Sequence, residues 1–391
     1  MNKKPSPQGA NTRLVHAARQ TRGMAKDLVN PPVERASTIL FDRAEDLYAR
    51  NPEQRHYGRF GTATHCALGD AITELEGAAG TILAPSGLAA CTLALSAVSK
   101  PGGHMLITDS VYGPTRNFCD NILTKRGLKI EYFNPRAGAD LQSQVRDNTC
   151  AIFLESPGSL TLEINDLPAI ATLAQARGIP TLIDNTWGAG WFLKPLALGI
   201  DYSIQAATKY HTGHSDVLMG AVASRTEDGA ALMHNYAYLN GNTVSPDDAY
   251  LVLRGMRTMG VRMTHQQQSA LKIAQWLSTR DEVMRVLHPA LPEHPDHDLW
   301  TRDFTGSSGL FSLILNPVSP EKVHDFVNAL SLFGIGFSWG GFESLVIHCD
   351  PQIKRTAGSW NATGPLIRFS IGLEDADDLI ADIENSLRVL S

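Results

Sequence analysis

Apolar positions in the middle of this chain fall in short unbroken runs, with helically spaced apolar residues between them. The run CAIFLES, starting at Cys150, predicts a strand buried on both faces. NDLP then opens a helix, with Asn165 or Asp166 as its cap and Pro168 in the first turn. Ile170, Leu173, Ala174 and Arg177 step at helical spacing, and Gly178 closes the helix. TLIDNT follows as a second strand, and DYSIQAATKY reads as a third. A strand–helix–strand unit of this kind implies a parallel sheet with a right-handed crossover. Upstream, TILA is strand-like to Ala84, turns through Pro85-Ser86-Gly87, and enters a helix of small residues.

The pattern differs at both ends. Residues 1–60 are rich in Arg, Asn, Pro and Gln with little periodicity, which predicts an extended arm lying on the body or on a neighbouring subunit. From residue 263, MTHQQQSALKIAQWLSTRDEV predicts an amphipathic helix with Leu271, Ala274 and Leu277 on one side. The short apolar runs GLFSLILN, SLFGIGFSW and ESLVIHC then suggest a smaller α+β domain. The expected organisation is an arm over 1–60, an α/β domain over 61–262 and a C-terminal α+β domain over 263–391.

Composition narrows the class without naming a chemistry. The 391 residues are 43% hydrophobic and 19% charged, which is ordinary globular usage. Acidic residues outnumber basic ones, 40 to 34, and the net charge of −6 argues against a nucleic-acid partner. No run of about 18 apolar residues occurs, so no membrane span is expected. Five cysteines, at 66, 91, 119, 150 and 349, form no CxxC pair and fit the reduced thiols of a cytoplasmic chain. The polar start, MNKKPSPQGANTR, has no apolar core of a signal peptide.

Chemistry enters at the strand ends, where an open parallel sheet places its ligands. Glu155-Ser156, Asp184-Asn185-Thr186 and Thr208-Lys209 are polar clusters at strand ends, which put one carboxylate and one lysine towards a shared crevice. An ion pair at a sheet edge would look the same. The Pro85-Ser86-Gly87 turn adds a fourth element, since the amides of Gly87 and Leu88 at a helix start can cradle a phosphate. Neither GxGxxG nor GxxxxGK[ST] is present there, so this is not a nucleotide loop. Pyridoxal phosphate requires this set: a lysine to bond the cofactor, an aspartate to keep the pyridine nitrogen protonated, and amides for the phosphate. An aromatic residue must also stack on the ring, and Tyr112 in DSVYGPT is a candidate.

These residues stand within a longer series of motifs: YGR at 57–59, SGLAA at 86–90, VYGPT at 111–115, ESPGS at 155–159, IDNTW at 183–187, ATKYHTGHSD at 207–216, SWGGFES at 338–344 and LIRFSIGLED at 366–375. In their order and spacing the chain resembles the Cys/Met-metabolism family of PLP-dependent enzymes over nearly its whole length. That family has fold type I, the aspartate-aminotransferase-like α/β fold with a mostly parallel central sheet and a smaller C-terminal domain. The resemblance implies that Lys209 bonds the cofactor, with the Thr208 hydroxyl on the phosphate, Asp184 on the pyridine nitrogen and Tyr112 over the ring. It implies phosphate amides at Gly87 and Leu88, and a neighbour's phosphate bound across a dimer interface by Tyr57 and Arg59, the latter through its planar fork. It also implies that Tyr57 borders the substrate pocket. Arg368 is implied as the ligand of the substrate α-carboxylate, with Ser338 and Trp339 completing that pocket. A homotetramer, built as a dimer of dimers with shared sites, is the implied assembly.

Within the family, the tryptophan of SWGGFES resembles the bacterial β-lyase branch, which implies elimination of a thiol from Cβ of a cysteine-type amino acid. γ-Acting relatives and lyases of cystine or other S-conjugates share the early steps. Two positions depart from the common pattern: Ser159 stands where many relatives carry Asn, and Ala206 where many carry Ser. Both alter cofactor contacts rather than the chemistry. His211-x-x-His214 and His294-x-x-His297 resemble metal pairs but lack a third ligand. The first is expected to be structural and the second to face solvent. Cys66, Cys91 and Cys119 are expected to be packing residues.

Overall fold

The computed structural model describes residues 9–19, 28–49 and 55–390. Seven strands form the large sheet: β1 (Gly80–Ala84), β2 (His104–Thr108), β3 (Lys129–Phe133), β4 (Thr149–Glu155), β5 (Thr181–Asp184), β6 (Tyr202–Gln205) and β7 (Gly220–Ser224). Their spatial order is β1-β7-β6-β5-β4-β2-β3, and only β7 runs against its neighbours. β2 and β7 are buried at every position, as the unbroken apolar runs require of a sheet covered on both faces.

The connecting helices obey the local signals. Asp166 caps the helix Leu167–Arg177 by accepting from the Ala169 amide, Pro168 sits in its first turn, and Gly178 ends it at φ +63°. Ser86 caps the helix Gly87–Val98 by accepting from the Ala89 amide at 3.1 Å. These caps satisfy donors that the helix start leaves open.

A second, five-stranded sheet comprises β8 (Val283–Leu287), β9 (Leu310–Leu315), β10 (Gly334–Ile335), β11 (Leu345–His348) and β12 (Leu366–Ser370), in the order β10-β11-β12-β9-β8. It is antiparallel except where β10 meets β11. The helix Met259–Leu277 starts four residues before the expected 263 and runs unbroken past the 262/263 division. Apolar side chains from both sheets share one buried cluster, including Leu154, Ile183, Phe311 and Phe369.

Several expectations are corrected by packing. The N-terminal segment is not wholly extended: Ala10–His16 is helical, with Leu14 and Ala17 buried against the chain's own body. Arg257 holds its end by donating to the carbonyls of Leu14, Val15 and Ala17 at 2.8–3.0 Å. Residues 1–8, 20–27 and 50–54 of the expected arm lie outside the described residues. The run DYSIQAATKY is strand only to Gln205, because the chain turns at Ala206, whose carbonyl accepts from the Lys209 amide at 3.0 Å. His294 does not face solvent; it is buried, and its Nδ1 accepts from the Asp296 amide at 3.2 Å. The turn folds inward because Asp296 is held by Arg136 and the Ile164 amide. Cys91 and Cys119 are packing residues, whereas Cys66 is exposed on a helix whose other face is the apolar one. Among the described residues no helix is long and apolar enough to cross a membrane, and no group of three His, Cys, Asp or Glu could hold a metal ion.

Candidate active site

The ends of β4 and β5 stand side by side, so Glu155 and Asp184 occupy paired positions in the ladder. Asp184 Oδ1 accepts from the amide and the hydroxyl of Thr186, at 3.0 and 2.5 Å, and Oδ2 faces the Cys91 thiol at 3.8 Å. Burial pushes the Asp184 carboxyl up, and the Thr186 bonds oppose that shift. No cation lies within ion-pair distance of Asp184 among the described residues. A protonated pyridine nitrogen would supply the missing counter-charge.

The Thr186 hydroxyl also accepts from the Ala206 amide at 2.8 Å, so one side chain fixes both the aspartate and the turn leading to the lysine. In that turn, Gly213 donates to the Lys209 carbonyl at 2.8 Å. Lys209 Nζ donates to Ser338 Oγ at 2.5 Å and lies 5.5 Å from the centre of the Trp339 ring. Burial lowers the Lys209 amine to about 8, helped by the Arg368 guanidinium and opposed by Asp184. Ser338 has φ +84°, a conformation that costs a non-glycine residue on the order of 1–3 kcal/mol and that only surrounding structure maintains. Its carbonyl accepts from Arg368 at 3.1 Å. Ser338 therefore joins Lys209 to Arg368, an arrangement built across the two sheets. Trp339 packs on Tyr210 at 5.5 Å, and its indole N–H has no acceptor among the described residues.

At the opposite wall, the Tyr112 amide donates to Glu155 Oε2 at 2.7 Å. Burial, then Glu155 and Asp184, push the Tyr112 hydroxyl up, while Arg368 pulls it down. Burial and the adjacent Asp184 push Glu155 well above the usual carboxylate range. A proton on Glu155 removes the repulsion that two paired carboxylates would otherwise create.

The Gly87 and Leu88 amides open the helix Gly87–Val98 and have no acceptor among the described residues, which leaves them available to a phosphate. A Cβ on Gly87 would lie 2.5 Å from that of Ala206. Gly87→Ala is therefore expected to weaken pyridoxal phosphate binding about 5- to 150-fold, since overpacking costs about 1–3 kcal/mol. Titration of the apoprotein with the cofactor checks this. An unchanged affinity would mean that the cradle lies elsewhere.

Three expected residues stand apart. The Thr208 hydroxyl donates to the Met219 carbonyl at 3.1 Å and accepts its amide at 2.9 Å, so its proton is committed to the backbone. Arg59 donates to the Tyr238 carbonyl at 2.9 Å and lies over the Tyr238 and Phe60 rings. Neither Arg59 nor Tyr57 shares a hydrogen bond, ion pair or ring contact with the Lys209 cluster of its own chain among the described residues. Ser159 bonds through its amide to the Ser110 carbonyl at 2.8 Å. His211 is buried in the turn after Lys209 and held neutral, lowered to about 3 by burial and by Arg262.

What sequence reasoning missed is the contacts of Thr186 and Cys91 with Asp184 and that of Glu155 with the Tyr112 amide. Thr186 carried a signal, a threonine two residues after a strand-end aspartate. Cys91 carried none, since its contact with Asp184 arises only when the helix packs on the sheet.

A mostly parallel sheet with a lysine, an aspartate and free helix-start amides at its strand ends defines a fold-type I pyridoxal-phosphate enzyme. Comparison with known proteins narrows this class. Residues 11–388 match the family described as Cys/Met metabolism PLP-dependent enzyme, and the chain belongs to that family. It is 44% identical to cystathionine β-lyase MetC of Escherichia coli, covering 96% of this chain and 97% of that one. It is also 44% identical to the cystathionine β-lyase of Haemophilus influenzae, covering 96% of each. The crystal structure of metB from Corynebacterium glutamicum superposes with a TM-score of 0.91 at 30% identity, covering 98% of this chain and 99% of that one.

Proposed function

We propose that this protein is a carbon–sulfur β-lyase that cleaves L-cystathionine with water to homocysteine, pyruvate and ammonia, a step of methionine biosynthesis. The observation that carries the reading is the 44% identity to cystathionine β-lyases over nearly the whole chain, and the Lys209–Ser338–Arg368 chain supports it by setting a proton acceptor beside a carboxylate anchor. Bound through Lys209, pyridoxal phosphate supplies an electron sink for the pair left behind when a Cα proton is removed.

The chain's residues provide the rest. Arg368 binds the substrate α-carboxylate, with Ser338 and Trp339 beside it, and so orients the Cα–H bond towards Lys209. Once the substrate's amine has displaced Lys209 from the cofactor, the lowered pKa would leave a usable fraction of the freed amine neutral near pH 8, so Nζ can take that proton. Tyr112 keeps its proton, because its hydroxyl is raised rather than lowered. It can therefore donate to the departing thiolate, as can the protonated Lys209. Asp184 holds the pyridine nitrogen, and the Gly87 and Leu88 amides hold the phosphate. Thr208 contributes to the phosphate only by rotating away from Met219.

Tyr57 and Arg59 serve the neighbouring subunit's site in this reading, which accounts for their separation from Lys209. The assembly is a cytoplasmic homotetramer, a dimer of dimers, in which an arm over 1–60, a cofactor domain over 61–262 and a C-terminal domain over 263–391 share the work.

Product identity tests the function. Pyruvate with homocysteine from L-cystathionine is the expected result. 2-Oxobutyrate with cysteine would instead make the protein a γ-acting enzyme, and a higher kcat/KM on cystine would make it an S-conjugate lyase.

A further inference from the structure

Asp109 lies just past β2, three residues before Tyr112, and is fully buried. Donors from a distant loop enclose its carboxylate: the amides of Thr356 at 2.8 Å, Ala357 at 2.9 Å and Gly358 at 3.2 Å on Oδ2, and the Thr356 hydroxyl at 3.0 Å on Oδ1. Arg116, on the helix Gly113–Phe118, pairs with the same carboxylate and donates to the Asp109 carbonyl at 2.9 Å. Arg355 approaches from the loop, donating to that carbonyl at 3.0 Å and to the Thr161 hydroxyl. Burial alone would raise the Asp109 carboxyl, but the amides and Arg116 outweigh it and hold it below the usual range.

The position of this joint gives it a function. The loop around 355–358 leads from β11 into β12, the strand that carries Arg368. The helix held by Arg116 starts immediately after Tyr112. A single buried anion thus ties the element bearing Arg368 to the element bearing Tyr112, across the two sheets. We propose that Asp109 is a positioning residue that keeps Arg368 and Tyr112 in register for the substrate amino acid; this rests on the reading of Arg368 as the carboxylate anchor. Lys209 and Asp184 share no bond with Asp109, so the residues assigned to the cofactor keep their places when the joint is loosened. An α-amino acid held by two walls that have shifted relative to each other binds more weakly, because hydrogen bonds to its charged carboxylate are worth about 10- to 100-fold in affinity.

The test uses the holoenzyme with Asp109→Asn, which keeps the shape and removes the charge. Arg355→Gln loosens the joint from the loop side and serves if the first variant does not fold. Binding of L-alanine, which has no β leaving group, is read from the visible spectrum of the bound cofactor. Hydrogen exchange of residues 354–358 is read by mass spectrometry. The expected result is a Kd for L-alanine raised about 10- to 100-fold in Asp109→Asn and about tenfold in Arg355→Gln. Exchange of the loop should be faster, and the visible band of the bound cofactor in the absence of L-alanine should keep its position. An unchanged Kd alongside faster exchange would overturn the proposal, because the joint would then be structural only. A fall in kcat on L-cystathionine with Kd preserved would overturn it too. Failure of the parent enzyme to cleave L-cystathionine would refute the proposed substrate alone, since L-alanine binding reads the joint independently.

Discussion

Replacing Lys209 with alanine is expected to lower pyruvate formation from L-cystathionine by roughly 10⁴-fold or more and to abolish the visible band of the covalently held cofactor. Proton transfer by a positioned group is worth about 10²–10⁴-fold, and loss of the bond to the cofactor adds to that. The geometry allows no obvious substitute. Ser338 Oγ only accepts a hydrogen bond from Nζ, at 2.5 Å, and the other cation bonded to Ser338 is Arg368, which stays protonated. Lys209→Arg separates charge from chemistry. It keeps a cation beside Ser338 but cannot deprotonate near pH 8, and is expected to be as inactive as the alanine variant. A coupled pyruvate assay and an absorption spectrum measure both. Retention of more than about a hundredth of parental activity by either variant would remove Lys209 from its assigned role.

A second large effect is expected in acid stability. His288 is fully buried, with Nδ1 accepting from the Ala290 amide at 3.2 Å and Nε2 without a hydrogen-bond partner among the described residues. Burial, then nearby His294, lowers it to about 3. Unfolding restores an ordinary value near ~6.5, so between those values the unfolded chain binds the extra proton. The stability due to keeping His288 neutral is thus complete above about pH 6.5 and declines as pH falls towards 3. At pH 7.5, His288→Asn is expected to be less stable than the parent. That deficit should shrink by about 1.4 kcal/mol per pH unit below 6.5, or about 2 kcal/mol by pH 5. Buried Glu76 and Glu155 carry the opposite dependence, with raised values that favour the folded state as pH falls. They are common to both proteins and cancel in the difference. Urea unfolding of the two holoenzymes at pH 7.5 and 5 reads it directly, and a pH-independent gap would show that His288 protonates while folded.

Local signals were legible wherever a residue's role depends on its neighbours in the chain. Asp166, Pro168 and Gly178 delimit their helix because caps and turns are short-range. Lys209, Asp184 and Gly87 were legible because strand ends of a parallel sheet converge on one crevice. The N-terminal helix Ala10–His16 was not legible, since Arg257 stabilises its end from about 240 residues away, a separation seen in the Arg257–Leu14, Val15 and Ala17 bonds. His294 looked solvent-facing for the same reason: Arg136 draws its turn inward, and no local pattern announces that pair.

What the amino-acid order determined by itself was the alternation of buried strands and capped helices, and hence the sheet and the residues at its edge. The family motifs then assigned a chemistry to those residues. Only the tertiary structure decided which groups meet. Ser338 adopts a left-handed conformation because Lys209 and Arg368 grip it from two sides, and Asp109 is satisfied by amides some 250 positions further along. The physical reason is that hydrogen bonds and burial act over a few ångströms of space, while caps, turns and hydrophobic periods act over a few residues of chain. Contacts between the two sheets belong to the first kind.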